Sequence, residues 1–148
     1  MSVSILVVDD EPDVADLFRQ CFRREARQGN YVLHFAYSGE EALDKLAAGI
    51  EPQLIVILSD INMPVMDGLE LLREIKRRRP DLPVMMVTAY DDDDRRHLAG
   101  EYGAAEFITK PVDFNLLKTQ LRGLSEAAHG LTPAPPRMAA SKLSLAPT

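Results

Sequence analysis

The stretch that most constrains this chain is Leu54-Ile55-Val56-Ile57-Leu58-Ser59-Asp60. Five consecutive aliphatic residues leave a strand with no polar side to turn to solvent. Such a strand must be covered on both faces, which suits the middle of a parallel sheet held between helices. In open sheets of that kind, ligands bind beyond the carboxyl ends of the strands. Asp60 falls at that edge, and the loop Ile61-Asn62-Met63-Pro64 follows it. Asp60 is therefore the candidate reacting group.

The rest of the chain repeats the alternation of strand and helix. Ile5-Leu6-Val7-Val8 reads as a first strand ending in Asp9-Asp10-Glu11. Pro12 can open a helix, because its missing N–H is harmless in the first turn. Val14, Leu17, Phe18, Cys21 and Phe22 recur at three- and four-residue steps, so one amphipathic helix is expected to run on to Gly29-Asn30. Tyr31 to Ala36 reads as a second strand. Ser38 followed by Glu41 has the form of a capping box, opening a helix that closes at Gly49. Leu69, Leu72 and Ile75 stripe the helix after Pro64 and Gly68, and Arg77-Arg78-Arg79 place positive charge at its end, where the helix dipole favours it. Val84 to Val87 reads as a fourth strand ending in Thr88-Ala89. After the aspartates 91–94 comes a helix through Leu98 and Tyr102. Phe107-Ile108-Thr109 forms a short fifth strand ending at Lys110-Pro111. Asp113 can cap a last helix with Leu116, Leu117, Leu121 and Leu124 on its apolar side.

Five strand–helix units imply an α/β fold, with a parallel sheet, right-handed crossovers and helices on both faces. The folded domain is expected over residues 1–125. From 126 to 148 the sequence turns to alanine and proline and carries no acid after Glu126, as in a flexible tail or linker.

The polar groups at the strand ends form a chemical set: Asp9 and Asp10, Asp60, Thr88 and Lys110. Three gathered carboxylates repel one another unless a cation lies between them. Mg²⁺ is the natural candidate, being hard, octahedral and suited to carboxylates, carbonyl oxygen and phosphate. His34, His97 and His129 are scattered and Cys21 stands alone, so no zinc site is indicated. A carboxylate beside such an ion can attack phosphorus and form an acyl phosphate. Lys110 and Thr88 are suitable partners for phosphate oxygens.

Composition narrows the alternatives. An apolar fraction of 46% supports a real core. A net charge of −6 disfavours direct nucleic-acid binding. No apolar run approaches the roughly 20 residues of a membrane span. The first residues lack the basic start of a signal peptide, and one cysteine excludes an intrachain disulfide, so a cytoplasmic location is expected. Cys21 is expected to be a buried small hydrophobe.

Taken in order, Val7-Val8-Asp9-Asp10-Glu11-Pro12, Asp60-Ile61-Asn62-Met63-Pro64-Val65-Met66-Asp67-Gly68, Val87-Thr88-Ala89 and Lys110-Pro111 resemble the receiver domain of two-component response regulators. The resemblance covers about residues 3–125. It implies a flavodoxin-like five-stranded sheet of order 2-1-3-4-5. It further implies Asp60 as phosphoacceptor, and Asp9, Asp10, Asp60 and the backbone carbonyl of Asn62 as Mg²⁺ ligands. Thr88 is the implied switch hydroxyl, Phe107 the switch aromatic, and Lys110 the essential cation, with a cis bond before Pro111. A histidine kinase or phosphotransfer protein is the implied donor, engaging the helix of Val14 to Phe22. The implied output is a downstream protein partner or an output domain missing from this chain. The helices near 91–102 and 113–124 are expected to form a phosphorylation-dependent homodimer or partner surface.

Two features depart from the common pattern. Pro52 to Asp60 is long, which implies a longer strand or a bulge. Tyr90 stands at a position that tunes phosphoryl lifetime in the family. The run of aspartates 91–94 fits a solvated helix start favoured by the dipole, the alternative being a surface recognition feature that changes with phosphorylation. Two other functions compete. A phosphate-blind interaction module usually lacks one of the acids or the lysine, and here all are present. An aspartate-nucleophile phosphohydrolase wants a second acid two residues after the nucleophile, where this chain has Asn62. A non-enzymatic switch is therefore expected.

Overall fold

The structure is a computed structural model, and it describes residues 2–89 and 92–128. Residues up to Val112 form one compact unit, and the chain from Asp113 onward belongs to a second. In the first, the strands β1 (Val3–Val8), β2 (Tyr31–Ala36), β3 (Leu54–Asp60), β4 (Val84–Thr88) and β5 (Glu106–Thr109) pair in parallel in the order β2-β1-β3-β4-β5. This is the expected topology, and the all-buried β3 lies at its centre.

The helices follow from the periodicity, with differences of detail. α1 (Pro12–Cys21) and α2 (Arg23–Arg27) replace the single long helix expected there, because Phe22 leaves helical geometry at φ −103°, ψ 12°. Phe22 is drawn into the core, stacking on Phe18 at 6.0 Å and meeting the edge of Tyr31 at 6.1 Å. The buried stripe of α1 is thus Ala15 and Phe18, and Leu17 is 46% exposed. Cys21 is partly rather than fully buried. Ser38 caps α3 (Gly39–Ala48) by accepting from the Glu41 N–H at 3.0 Å. Glu41 reaches back to the Tyr37 N–H rather than to Ser38, so only half of the capping box forms.

Helix α4 (Gly68–Arg78) does have a complete capping box, built from Asp67 and Glu70. Helix α5 runs Asp93–Glu101 and ends before Gly103 at φ +98°. Asp93 and Asp94 lie in its first turn, as the dipole favours. Tyr90 and Asp91 lie outside the described residues.

The two sheet faces are covered differently. Leu6, Val8, Ile57, Val84 and Met86 face one core with Leu43, Leu72, Ile75 and Ala99 of α3, α4 and α5. On the opposite face, Tyr31 of β2 meets Phe22 at the break between α1 and α2, and the Arg19 guanidinium of α1 lies 4.4 Å from the Phe35 ring centroid.

The extra length before Asp60 resolves into a bulge. Ser4 pairs with Leu54 and Ile5 with Val56, so Ile55 has no partner in β1. The bulge absorbs the additional residue and leaves Val7 opposite Leu58 and Val8 opposite Ser59.

In the second unit, α6 (Phe114–Ala128) passes the boundary expected at 125. Asp113 caps it, accepting from the Leu116 N–H at 3.1 Å. Leu117 and Leu121 are buried, whereas Leu116 is 58% exposed and stands off the apolar side expected for it. The tail from 129 onward, with His129, lies outside the described residues.

Candidate functional site

The site grows from the ends of β1 and β3. Asp9 follows Val8 directly, and its backbone N–H still donates to Ala36 at 3.1 Å, so the sheet fixes its position. Its carboxylate accepts from the Glu11 N–H at 2.9 Å, and the side chain is buried. Asp10 is exposed beside it. Asp60 is the last residue of β3 and is only 4% exposed. One carboxylate oxygen from each of Asp9, Asp10 and Asp60 lies within 4.8 Å of the other two. Burial pushes the Asp9 carboxyl up to about 6, helped by the charges of Asp60 and Asp10 and opposed by the Glu11 N–H and Lys110. Three carboxylates gathered at one point also call for compensating positive charge.

Lys110 supplies part of that charge. Its Nζ stands 3.3 Å from Asp60 Oδ1. The backbone places it there: the Lys110 N–H donates to the Thr88 carbonyl at 2.9 Å, extending the β4–β5 ladder past Thr109. The bond from Lys110 to Pro111 is cis, as expected, and so is Glu51–Pro52. Thr88 ends β4 buried, with its hydroxyl donating to the Ala89 carbonyl at 3.4 Å. Asn62 donates its backbone N–H to Asp60 Oδ1 at 3.4 Å.

Phe107 lies in β5, three residues before Lys110. It is half-buried and packs at the edge of the apolar cluster, with the Arg96 guanidinium 5.7 Å from its ring centroid. Arg96 also donates to Thr109 Oγ1 at 2.8 Å.

The structure therefore gathers Asp9, Asp10, Asp60 and Lys110, and sets Thr88 on the adjoining strand end. Two contributions were missed in the sequence. Gly68 is the first. A Cβ there would lie 2.2 Å from the Asp60 carbonyl oxygen and 2.6 Å from Ile61 Cα, so only glycine lets α4 start against the end of β3. The sequence showed Gly68 as loop punctuation, with nothing to indicate the close approach. The second is Arg95, whose guanidinium reaches the loop after β3 from α5. Its distance along the chain hid that contact.

The arrangement is an acidic pocket of a kind that suits a hard cation. The family model "Response regulator receiver domain" matches residues 5–122, and the chain belongs to that family. It is thus a receiver domain of two-component signalling proteins. The response regulator MprA of Mycobacterium tuberculosis is 36% identical over 124 residues, covering 84% of this chain and 51% of that protein. The chain spans about half the length of the curated relatives it matches. Among solved structures, the response regulator TrrA of Thermotoga maritima in complex with Mg²⁺ and BeF is 34% identical, with a TM-score of 0.68, and covers 82% of this chain and 98% of its own. The receiver domain of NtrX from Brucella abortus is 31% identical with a TM-score of 0.71, over 82% and 98%. Among the described residues, no helix is long and apolar enough to cross a membrane.

Proposed function

We propose that this chain is a phosphorylation-dependent switch in which Asp60 takes a phosphoryl group from a histidine kinase or phosphotransfer protein. The observation that carries the reading is the gathering of Asp9, Asp10 and Asp60 around one point, with the Lys110 ammonium on Asp60. The donor set is all oxygen, with no histidine or cysteine in the cluster, which fits Mg²⁺. Asp9, Asp10, Asp60 and the Asn62 carbonyl would hold the ion. When bound, it neutralises charge on the phosphoryl oxygens.

The protein's own residues do the rest. An Asp60 carboxylate oxygen attacks phosphorus, an O–P bond forms, and the P–N bond to the donor imidazole breaks. The leaving nitrogen keeps the electron pair and takes a proton. Burial holds the Asp60 carboxylate in place, so the step needs little rearrangement. The new oxygens then attract the Lys110 ammonium and the Thr88 hydroxyl. Movement at Thr88 frees space for Phe107 to turn inward, and the surface of β5 and α5 changes with it. Phosphorylation shifts an existing equilibrium by as much as it favours one state. A downstream protein, an output domain or a second copy of the chain would read the altered surface. The phosphoryl group leaves slowly by hydrolysis, so the chain is a switch and not a turnover enzyme.

Intact mass after incubation with acetyl phosphate and Mg²⁺ tests the reading. One added phosphoryl group is expected, absent with EDTA and absent in Asp60→Asn. A gain that persists in Asp60→Asn contradicts it.

A further inference from the structure

Arg95 joins two elements that the strand-end chemistry leaves unconnected. Its Nη1 donates to Asn62 Oδ1 at 2.7 Å, and its Nη2 donates to Asp67 Oδ2 at 2.9 Å. Asp92, the residue before α5, has a carboxylate oxygen 3.9 Å from Nε. Asn62 and Asp67 bracket the loop between β3 and α4, and both have a second engagement. The Asn62 backbone N–H donates to Asp60 Oδ1, and Asp67 Oδ1 accepts from the Glu70 N–H at 3.0 Å to cap α4.

Between these anchors the backbone is not at rest in a common conformation. Val65 sits at φ +68°, an unusual region for a β-branched side chain, and is 91% exposed. Strain of this kind persists only where the surroundings hold both ends. Gly68 N–H to Ile61 carbonyl, at 2.7 Å, closes the base of the loop. Arg95 closes it from the side, and a planar guanidinium can hold two acceptors at fixed separation where an ammonium cannot.

We propose that Arg95 is a positioning residue for the acceptor site: from the first turn of α5 it fixes the Asn62–Asp67 loop, and so holds Asn62 against Asp60. This rests on the reading of Asp60 as phosphoacceptor for its consequence, though not for its geometry. It makes α5 a direct sensor of the acceptor loop, since whatever displaces Asn62 or Asp67 also loosens a side chain of α5.

Two measurements on the whole chain test it. The first is amide exchange in metal-free protein, comparing wild type with Arg95→Ala and Arg95→Lys. The hydrogen-bonded amides of Asn62, Asp67 and Gly68 should exchange on the order of tenfold faster in Arg95→Ala, as loss of charge-assisted hydrogen bonds predicts. Arg95→Lys should fall between the two, and amides of β1 and β3 should be unchanged. Unchanged loop amides, or equal acceleration throughout the sheet, overturn the proposal. The second is the Mg²⁺ concentration that half-saturates mass gain from acetyl phosphate. It should rise by a similar factor in Arg95→Ala, and an unaltered value overturns the link to the site. Should wild type gain no phosphoryl group at all, the reading of Asp60 falls, and loop exchange alone decides the role of Arg95.

Discussion

Lys110 Nζ and Asp60 Oδ1 lie 3.3 Å apart, one just past the edge strand β5 and the other at the end of the central strand β3. Only the parallel fold brings them together. Lys110 is 39% exposed and Asp60 5% by side chain, so solvent screens the pair from one side only. Lys110→Ala should leave the acids with less compensation. In EDTA at neutral pH we expect it to lower stability by about 1 kcal/mol, a value already reduced for screening, and Tm by a few degrees. Mg²⁺ should then raise Tm more in the variant than in wild type. Thermal melts with and without Mg²⁺ check this, and an equal Mg²⁺ response in both proteins contradicts it.

Gly68→Ala tests the close approach of α4 to the acceptor strand. In an open helix the change would add up to about 1 kcal/mol of stability. Here the new methyl meets backbone atoms of Asp60 and Ile61, which cannot swing aside. A loss of about 1–3 kcal/mol is expected from the overpacking, together with slower acquisition of phosphate. Urea unfolding measures the first and mass gain the second. A variant as stable as wild type would show that the start of α4 is free to shift.

The Asp9 carboxyl gives a dependence on pH. Its folded value of about 6 lies above the ordinary 3.8, chiefly through burial. The folded protein therefore holds more protons than the unfolded chain between those values. In metal-free protein, the contribution of Asp9 to stability is fully present below about 3.8 and is lost as pH rises through about 6. Mg²⁺ competes with that proton, so its apparent affinity should increase as pH rises through 6. Titrations at several pH values in wild type and Asp9→Asn check it, and the pH dependence near 6 should flatten in the variant.

Much of the site was legible because each group ends a strand of clear pattern. Asp60 follows an uninterrupted aliphatic run, and Lys110 follows Phe107-Ile108-Thr109. The sheet order then does the gathering. What escaped were features that depend on packing between distant segments. The break at Phe22 arises because its ring is worth more against Phe18 and Tyr31 than continued helix is, and periodicity alone reads straight through it. The clearance at Gly68 is set by where α4 begins relative to the Asp60 carbonyl, a distance with no local signature. Asp67 and Glu70 carry a readable capping pattern, yet the arginine that shares Asp67 comes from a different helix.

The central claim is that one aspartyl oxygen forms a bond to phosphorus. The most direct measurement treats the acetyl phosphate-labelled protein with borohydride, which reduces an acyl phosphate to an alcohol with release of phosphate, and then maps the peptides. Conversion of Asp60 to homoserine, dependent on Mg²⁺ during labelling, is the predicted result. Homoserine at Asp9 or Asp10, or an unmodified Asp60 in protein that has gained a phosphoryl group, would contradict the account.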